Sequence, residues 1–275
     1  MLSLGIVYLG LAILGPVCAL LQRLRPAVAP PPVFARDRAL DWVYWLVTPL
    51  GTGLLTRVVT LGAAACVAFA LGMAAPDADA LLEAFHARSP LGAQPLPLQA
   101  LEALLLADLV SYWSHRLRHH PRFFPLHAVH HAPERLDWLA AARMHPLDDL
   151  VDNVAVTLPV LLLGFDPLIF LALGPTLLLH TLYLHMDVRL SLGPLGRLLG
   201  TPDFHRVHHA TDPALRDANF GGVLALWDVL FGTYRMPAKR PTRFGLDTDL
   251  LPESLGAQLV VPLRRLAARP DRRLG

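Results

Sequence analysis

The stretch HRLRHHPRFFPLHAVHH, residues 115–131, places six histidines within seventeen residues of a chain that is otherwise rich in Leu, Ala and Val. A second dense segment, FHRVHH, follows at residues 204–209. The histidines recur at intervals of three and four residues, and residues so spaced lie on one face of a helix. Each cluster can therefore direct two or three imidazoles at one point. The eight histidines with this spacing are His115, His119, His127, His130, His131, His205, His208 and His209.

So many imidazoles on shared helix faces indicate bound metal. Protonated rings would repel one another, whereas neutral rings would each need a partner for a ring nitrogen, and metal ions meet that need. A structural zinc ion is satisfied by four ligands, so eight or more imidazoles predict two ions. Imidazole binds zinc, copper, iron and nickel, and ligand chemistry alone leaves the metal open.

The composition favours a membrane protein. The chain of 275 residues is 54% hydrophobic and 17% charged, whereas soluble domains carry about 25% charged residues. The net charge of +2 gives no sign of a nucleic-acid partner. Cys18 and Cys66 lie in separate apolar runs without a CxxC pair, which argues against disulfides, zinc knuckles and iron–sulfur clusters.

Five apolar segments approach the length of about 20 residues that a membrane-spanning helix needs. In the second segment, Pro49, Gly51, Gly53 and Arg57 interrupt the apolar run. We therefore expect residues 58–74 to span the membrane and the earlier part to lie at the interface. The turn-like GFDP sequence joins the last two segments into a predicted hairpin. The five segments are residues 1–21, 42–74, 96–113, 151–163 and 168–184.

The distribution of basic residues predicts the orientation of these spans. Arginines concentrate in the connections at 22–41 and 114–149, and Lys and Arg again after residue 186. Since Lys and Arg in short loops stay on the cytoplasmic side, the N-terminus is expected outside and the histidine clusters on the cytoplasmic face. The tail at 254–269 has an apolar stripe and a basic end. It fits either a helix lying on the lipid headgroups or a packed terminal helix of the cytosolic part.

The histidine clusters, with the segments around them, resemble the fatty acid hydroxylase and sterol desaturase superfamily of integral-membrane di-iron oxygenases. The resemblance covers residues from about 100 to 235. It implies an all-α fold: an integral-membrane helical bundle of about five spans, with a cytosolic helical cap that carries the histidine boxes. The matching motifs are HRLRH at 115–119, HAVHH at 127–131, HMD at 185–187, FHRVHH at 204–209 and NFGGVLALWDVLFGTY at 219–234.

The resemblance also implies a ligand set and a division of the chain. The eight clustered histidines become metal ligands, with His185 as the ninth. His180, five residues before His185, joins them only if the helix distorts or the two rings face different irons. The catalytic domain is expected at 96–240, between an N-terminal membrane anchor region, 1–95, and a C-terminal tail, 241–275.

Several other polar residues near the boxes are expected to support the site. Asp108 lies on the same helix face as His115, and its carboxylate either bonds to a ligand imidazole or pairs with Arg143 or another arginine. His145 either lines the site or supports a ligand. Weaker candidates for bonding to a ligand are Asp187 and Asp203, and the residues expected to be structural are His86, His120 and Asp228.

The implied activity is the O2-dependent hydroxylation or desaturation of a lipid or sterol-like substrate, with two iron ions as cofactor and zinc as their replacement in recombinant material. The chain has no GxGxxG, no cysteine set for iron–sulfur and no CxxCH. Electrons must therefore come from a separate reductase, ferredoxin or cytochrome b5-like donor. Two alternatives remain open: a membrane zinc metallohydrolase or lyase, and a non-enzymatic haem or metal carrier.

Overall fold

The computed structural model describes residues 4–24, 38–75, 77–190, 192–246, 251–252 and 254–268, without the side chains of residues 4–11 and 171. Across these residues the regular secondary structure is helical, and Ala210 and Phe244 form an isolated antiparallel bridge. The predicted all-α class is confirmed. The helices are α1 (Leu4–Leu24), α2 (Ala39–Ala70), α3 (Ala78–His86), α4 (Leu96–Arg118), α5 (Phe124–His131), α6 (Pro146–Leu162), α7 (Pro167–His185), α8 (Pro202–His208), α9 (Leu226–Leu230) and α10 (Leu255–Ala267).

Helix α2 runs unbroken through the point where a division was predicted. Pro49 and the neighbouring glycines lie inside its 32 residues, although proline removes a backbone hydrogen bond and glycine weakens a helix. Packing along α6 offsets this cost. Where α2 contacts α6, the Thr52 hydroxyl bonds both to the Thr48 carbonyl oxygen and to the Asp149 carboxylate of α6. The prediction of a separate interfacial helix before residue 58 is therefore wrong.

A short turn joins α6 to α7 at the predicted GFDP sequence, and local sequence explains its conformation. Gly164 has a φ of +71°, and a Cβ at this position would collide with the carbonyl oxygen of Phe85. The Asp166 carboxylate then accepts the Leu168 N–H at 2.8 Å, which caps α7, with Pro167 at its first position.

Two of the described helices, α2 and α7, are long and apolar enough to cross a membrane, judged by length and composition. One face of α2 is apolar and exposed over three turns. Leu46, Leu50, Leu54 and Val58 follow one another at four-residue intervals, and each is 48% exposed or more. An apolar stripe of this length is unusual on a surface in contact with water.

Helix α10 packs against α5, which agrees with the interpretation of the tail as a packed terminal helix. Its Gln258 side chain is fully buried, and the Leu259 carbonyl oxygen accepts a hydrogen bond from His145 Nε2 at 3.1 Å. The opposite face keeps Val260 and Leu263 exposed. The tail is thus anchored on the helix that carries the HAVHH box.

Buried ion pairs attach the start of α2 to the segment between α5 and α6. Arg38 bonds to the Asp137 carboxylate, and Arg143 bonds to Asp41. Trp45 donates its indole N–H to the Leu139 carbonyl oxygen at 2.8 Å. Because buried charges are stable only when paired, these contacts fix the backbone of residues 137–143 beside α5.

Candidate metal centre

Four separate elements deliver nine histidines to one buried region. They are the last turn of α4 with the residue after it, helix α5, the end of α7, and α8 with the residue after it. The ligand nitrogens form two groups, and within each group they all lie within 4.8 Å of one another. The five-histidine group is His115, His119, His127, His131 and His208, and the four-histidine group is His130, His185, His205 and His209.

The two groups adjoin each other. The rings of His131 and His209 stack with their centroids 4.4 Å apart, although the two residues belong to different groups. Neighbours in sequence separate in the same way, since His130 and His131 point to different groups. Successive residues on a helix are about 100° apart, because an α-helix has about 3.6 residues per turn. Each of the two HxxHH boxes therefore contributes to both groups.

Six of the nine rings are held in place through Nδ1, which leaves Nε2 free to bind a metal. Carbonyl oxygens act as acceptors for four of them: Phe220 for His115, Arg143 for His130, Thr181 for His185 and Ala218 for His208, at 2.8 to 3.1 Å. Carboxylates act as acceptors for the other two: Asp217 for His119 at 3.2 Å and Asp148 for His127 at 2.9 Å. A carbonyl oxygen only accepts, so the rings bonded to carbonyls carry their proton on Nδ1.

The inward-facing Nε2 atoms fit a metal ion. Those of His119, His131 and His208 are buried without a hydrogen-bond partner, and buried polar atoms are rarely left unpaired. The Nε2 atoms of His185 and His205 lie 3.2 Å apart, and His209 Nε2 lies 3.0 Å from that of His205. Convergent imidazole nitrogens of this kind suit zinc, copper, iron and nickel.

Burial keeps these rings neutral. Desolvation lowers the pKa of seven of these imidazoles below the ordinary value for histidine. They are His119, His127, His130, His131, His205, His208 and His209. The neighbouring imidazoles lower the pKa further in most of them. For His119 the Asp217 carboxylate partly opposes this shift. A neutral ring has one free lone pair, which is the form that binds a metal.

The glycine-containing loop after α8 and the WD element form one hydrogen-bonded unit. The buried Asn219 has a φ of +59°, and its side chain bonds to the backbone of Phe204 and Arg235. The Asp228 carboxylate accepts the N–H groups of Phe220 and Gly221 at 2.8 and 2.7 Å. The structural role predicted for Asp228 is confirmed. This unit places the carbonyl oxygens that hold His115 and His208.

Asp108 supports the same loop, and its hydrogen-bond donors are neither an imidazole nor an arginine. Its carboxylate accepts the backbone N–H groups of Val223 and Leu224 at 2.7 and 2.8 Å and the indole N–H of Trp227 at 2.9 Å. Both expectations for its partner are therefore corrected. A carboxylate inside an apolar helix needs several donors, and the loop provides three.

His180 joins neither group. Its Nε2 lies 3.1 Å from the Gly222 carbonyl oxygen, so the ring supports the loop from the α7 side. His145 also lies outside both groups. Its Nδ1 accepts the Leu147 N–H at the start of α6, and its Nε2 bonds to α10.

Asp187 and Asp203 bond to arginines rather than to imidazoles, so the expectation that they bond to a ligand is corrected. Asp187 pairs with Arg206 at 2.6 Å and with Arg240 at 3.1 Å, and Asp203 pairs with Arg240 at 2.6 Å. His86 and His120 lie outside the two groups, as predicted. His86 Nδ1 lies 3.2 Å from the Gly164 carbonyl oxygen, and His120 accepts the Arg122 N–H.

Two carboxylates beside the site were missed in the sequence. Asp148 is 21 residues from its partner His127, and Asp217 is 98 residues from His119. Asp148 also bonds to the buried Arg118, which in turn pairs with Asp152. The sequence RMHPLDD contains Asp148, but the spacing of a carboxylate from a histidine on another helix follows no local pattern.

Part of the chain, including this site, matches a known family model. Residues 100–233 match the family model described as fatty acid hydroxylase, and all nine grouped histidines fall within that range. No solved structure matches the chain.

Three characterised relatives illustrate the range of similarity. The chain is 32% identical to an ornithine lipid hydroxylase of Rhizobium tropici over 215 residues, which cover 77% of this chain and 64% of the relative. It is 33% identical to the alkylglycerol monooxygenase of Homo sapiens over 48% of this chain and 29% of the relative. A Delta(7)-sterol 5(6)-desaturase of Gibberella zeae is 26% identical over 52% of this chain and 43% of the relative. The chain thus spans less than two thirds of the length of each.

Proposed function

Because residues 100–233 match the fatty acid hydroxylase family model, we propose that this chain is a membrane oxygenase that holds two iron ions. It uses O2 to hydroxylate or desaturate a C–H bond of a lipid or sterol-like molecule. The catalytic domain is proposed at 96–240, with the membrane anchor region at 1–95 before it and the tail at 241–275 after it.

The observation that carries this proposal is the pair of adjoining groups of five and four imidazoles. When bound there, two irons supply the activation of O2 and the removal of hydrogen from an unactivated C–H bond. The chain orients the ligand rings through their Nδ1 bonds and keeps eight of the nine residues buried, which excludes water from the centre. Exclusion of water protects reactive species from side reactions.

The relatives support an amphiphilic lipid as substrate and hydroxylation as the reaction. The two relatives with 32% and 33% identity are a hydroxylase and a monooxygenase, whereas the desaturase is 26% identical. All three are named for a lipid or sterol substrate. Electrons are proposed to come from a separate reductase, ferredoxin or cytochrome b5-like protein.

Five membrane spans are proposed, with the N-terminus outside and the histidine groups on the cytoplasmic face. The exposed apolar stripe on α2 supports contact with lipid, and α2 and α7 have the length and composition of membrane spans. A topology reporter fused after residue 268 is expected to report a cytoplasmic location. A reporter inserted in the connection between α2 and α3 is expected to report the opposite side.

Lipid analysis of cells that express the chain tests the reaction. Cells with the wild-type chain are expected to gain a lipid whose mass is higher by one oxygen atom, and cells with His130→Ala are expected to lack it. His120→Ala is the matched control, because His120 lies beside the ligands in sequence but outside both groups. The absence of any oxygenated or desaturated lipid in cells with the wild-type chain would contradict the proposal.

Metal analysis separates the proposal from its alternatives. Purified chain is expected to contain about two iron ions, some replaced by zinc in recombinant material, and to consume O2 with substrate and an electron donor. Activity with zinc alone and no O2 consumption would indicate a metallohydrolase or lyase. A Soret absorption band would indicate a haem carrier.

A further inference from the structure

The two histidine groups differ in the charge of the atoms that hold their rings. In the five-histidine group, His119 and His127 bond through Nδ1 to carboxylates. In the four-histidine group, His130 and His185 bond to the neutral carbonyl oxygens of Arg143 and Thr181. No carboxylate among the described residues is hydrogen-bonded to an imidazole of this second group. The two groups therefore offer different surroundings to a cation.

The contact between His127 and Asp148 is the most enclosed of these bonds. His127 Nδ1 lies 2.9 Å from Asp148 Oδ2, and the two side chains are 1% and 3% exposed. A carboxylate that accepts the Nδ1 proton fixes the ring orientation and makes the opposite nitrogen a stronger ligand. At low exposure its charge also attracts a nearby cation more strongly than it would in water.

Arg118 holds Asp148 in place beside His127. Its guanidinium lies 3.3 Å from Asp148 and 3.0 Å from Asp152, while Asp152 also accepts the Ser114 hydroxyl at 2.7 Å. The same guanidinium lies 3.4 Å from His127 Nδ1, so Arg118, Asp148 and His127 form one contact network. Asp217 adds a further carboxylate at His119.

We propose that the five-histidine group binds its metal ion more tightly than the four-histidine group does, and that Asp148 is the positioning residue responsible through His127. This inference rests on the proposed metal centre. The five-histidine group offers one more imidazole, two carboxylate partners, and four rings held through Nδ1. In the other group, two rings are held in this way.

The test is a chelator titration of the full chain in detergent after loading with Zn²⁺ alone, with metal counted by mass spectrometry. Wild type is expected to lose one ion per chain at low chelator and to retain the other until much higher chelator. Asp148→Asn is expected to weaken the retained ion about 10-fold or more and to leave the first unchanged. A purely structural defect would weaken both ions.

Asp152→Asn is the matched control, because it removes a carboxylate that contacts the same Arg118 and bonds to no imidazole. It is expected to leave both ions at wild-type affinity. Asp217→Asn, whose side chain is largely exposed in the folded chain, tests the same idea without removing a buried charge. It is expected to weaken the retained ion as well.

Release of both ions in a single phase from wild type would overturn the inference, as would weakening of only the loosely held ion by Asp148→Asn. Wild-type chain that binds less than one ion after loading would instead contradict the proposed metal centre. The two failures are therefore distinguishable in one experiment.

Discussion

His115 and His127 bring their Nε2 atoms to 3.1 Å from each other, although both nitrogens present lone pairs. The Nδ1 proton of His115 goes to the Phe220 carbonyl oxygen and that of His127 to Asp148. Burial favours the neutral form of such rings. Two acceptors at this distance repel unless a cation lies close to both, so the packing of α4 against α5 is complementary to a bound metal.

Metal removal is therefore expected to destabilise the fold. A ligand at 100 times its dissociation constant stabilises the folded state by about 2.7 kcal/mol. For a chain of this size, each kcal/mol shifts the midpoint of thermal unfolding by about 2 to 4 °C. Stripping the metal from purified protein should lower the midpoint, measured by circular dichroism, by roughly 5 to 10 °C per ion. Re-addition of Zn²⁺ should restore it, and equal midpoints with and without metal would contradict the expectation.

His180→Ala tests whether His180 binds metal in addition to the nine grouped histidines. Because His180 Nε2 lies 3.1 Å from the Gly222 carbonyl oxygen and outside both groups, the variant is expected to keep its full metal content. His185→Ala, five residues further along the same helix, should lose one ion per chain. Metal analysis of the two purified variants makes the comparison, and loss of an ion from His180→Ala would assign it a ligand role.

The spacing of the histidines identified eight of the nine residues that the structure brings together, and the family resemblance added His185, but neither predicted their division into two groups. Residues three and four apart share a helix face, yet His205 and His209 separate from His208. That separation depends on how α8 is rotated between α5 and α7, which packing decides. A local pattern carries no information about that rotation.

Contacts between distant helices were likewise hidden from the sequence. The carboxylate partner of His127 is on α6. The N–H groups that donate to Asp108 lie 115 or more residues from it in sequence. The continuity of α2 through Pro49 is a related case, because packing against α6 outweighs the tendency of Pro49 to interrupt the helix. Spacing therefore predicted which histidines in the boxes come together, whereas the groups that hold their rings in place depend on the fold.

Asp108→Asn is expected to loosen the loop that holds His115. The carboxylate accepts three N–H donors, whereas an amide turns its own N–H groups toward at least one of them. Leaving a buried donor unpaired costs about 1 to 3 kcal/mol. Thermal unfolding should show this loss, together with reduced metal content. Asp166→Asn is the control, since Asn caps a helix as well as Asp does; equal losses in both variants would contradict a specific role for Asp108.

Gly221→Ala is expected to lower metal binding through the backbone alone. A Cβ at this position would lie 2.5 Å from the Leu224 carbonyl oxygen and 2.8 Å from Asp228 Oδ2, so the loop must move. The adjacent Phe220 carbonyl oxygen, which accepts the His115 Nδ1 proton, moves with it. Chelator titration should then show weaker retention of the ion in the five-histidine group. Gly53→Ala, where a Cβ meets nothing within 4 Å, should bind metal as wild type does, and wild-type retention by Gly221→Ala would mean that the loop does not orient His115.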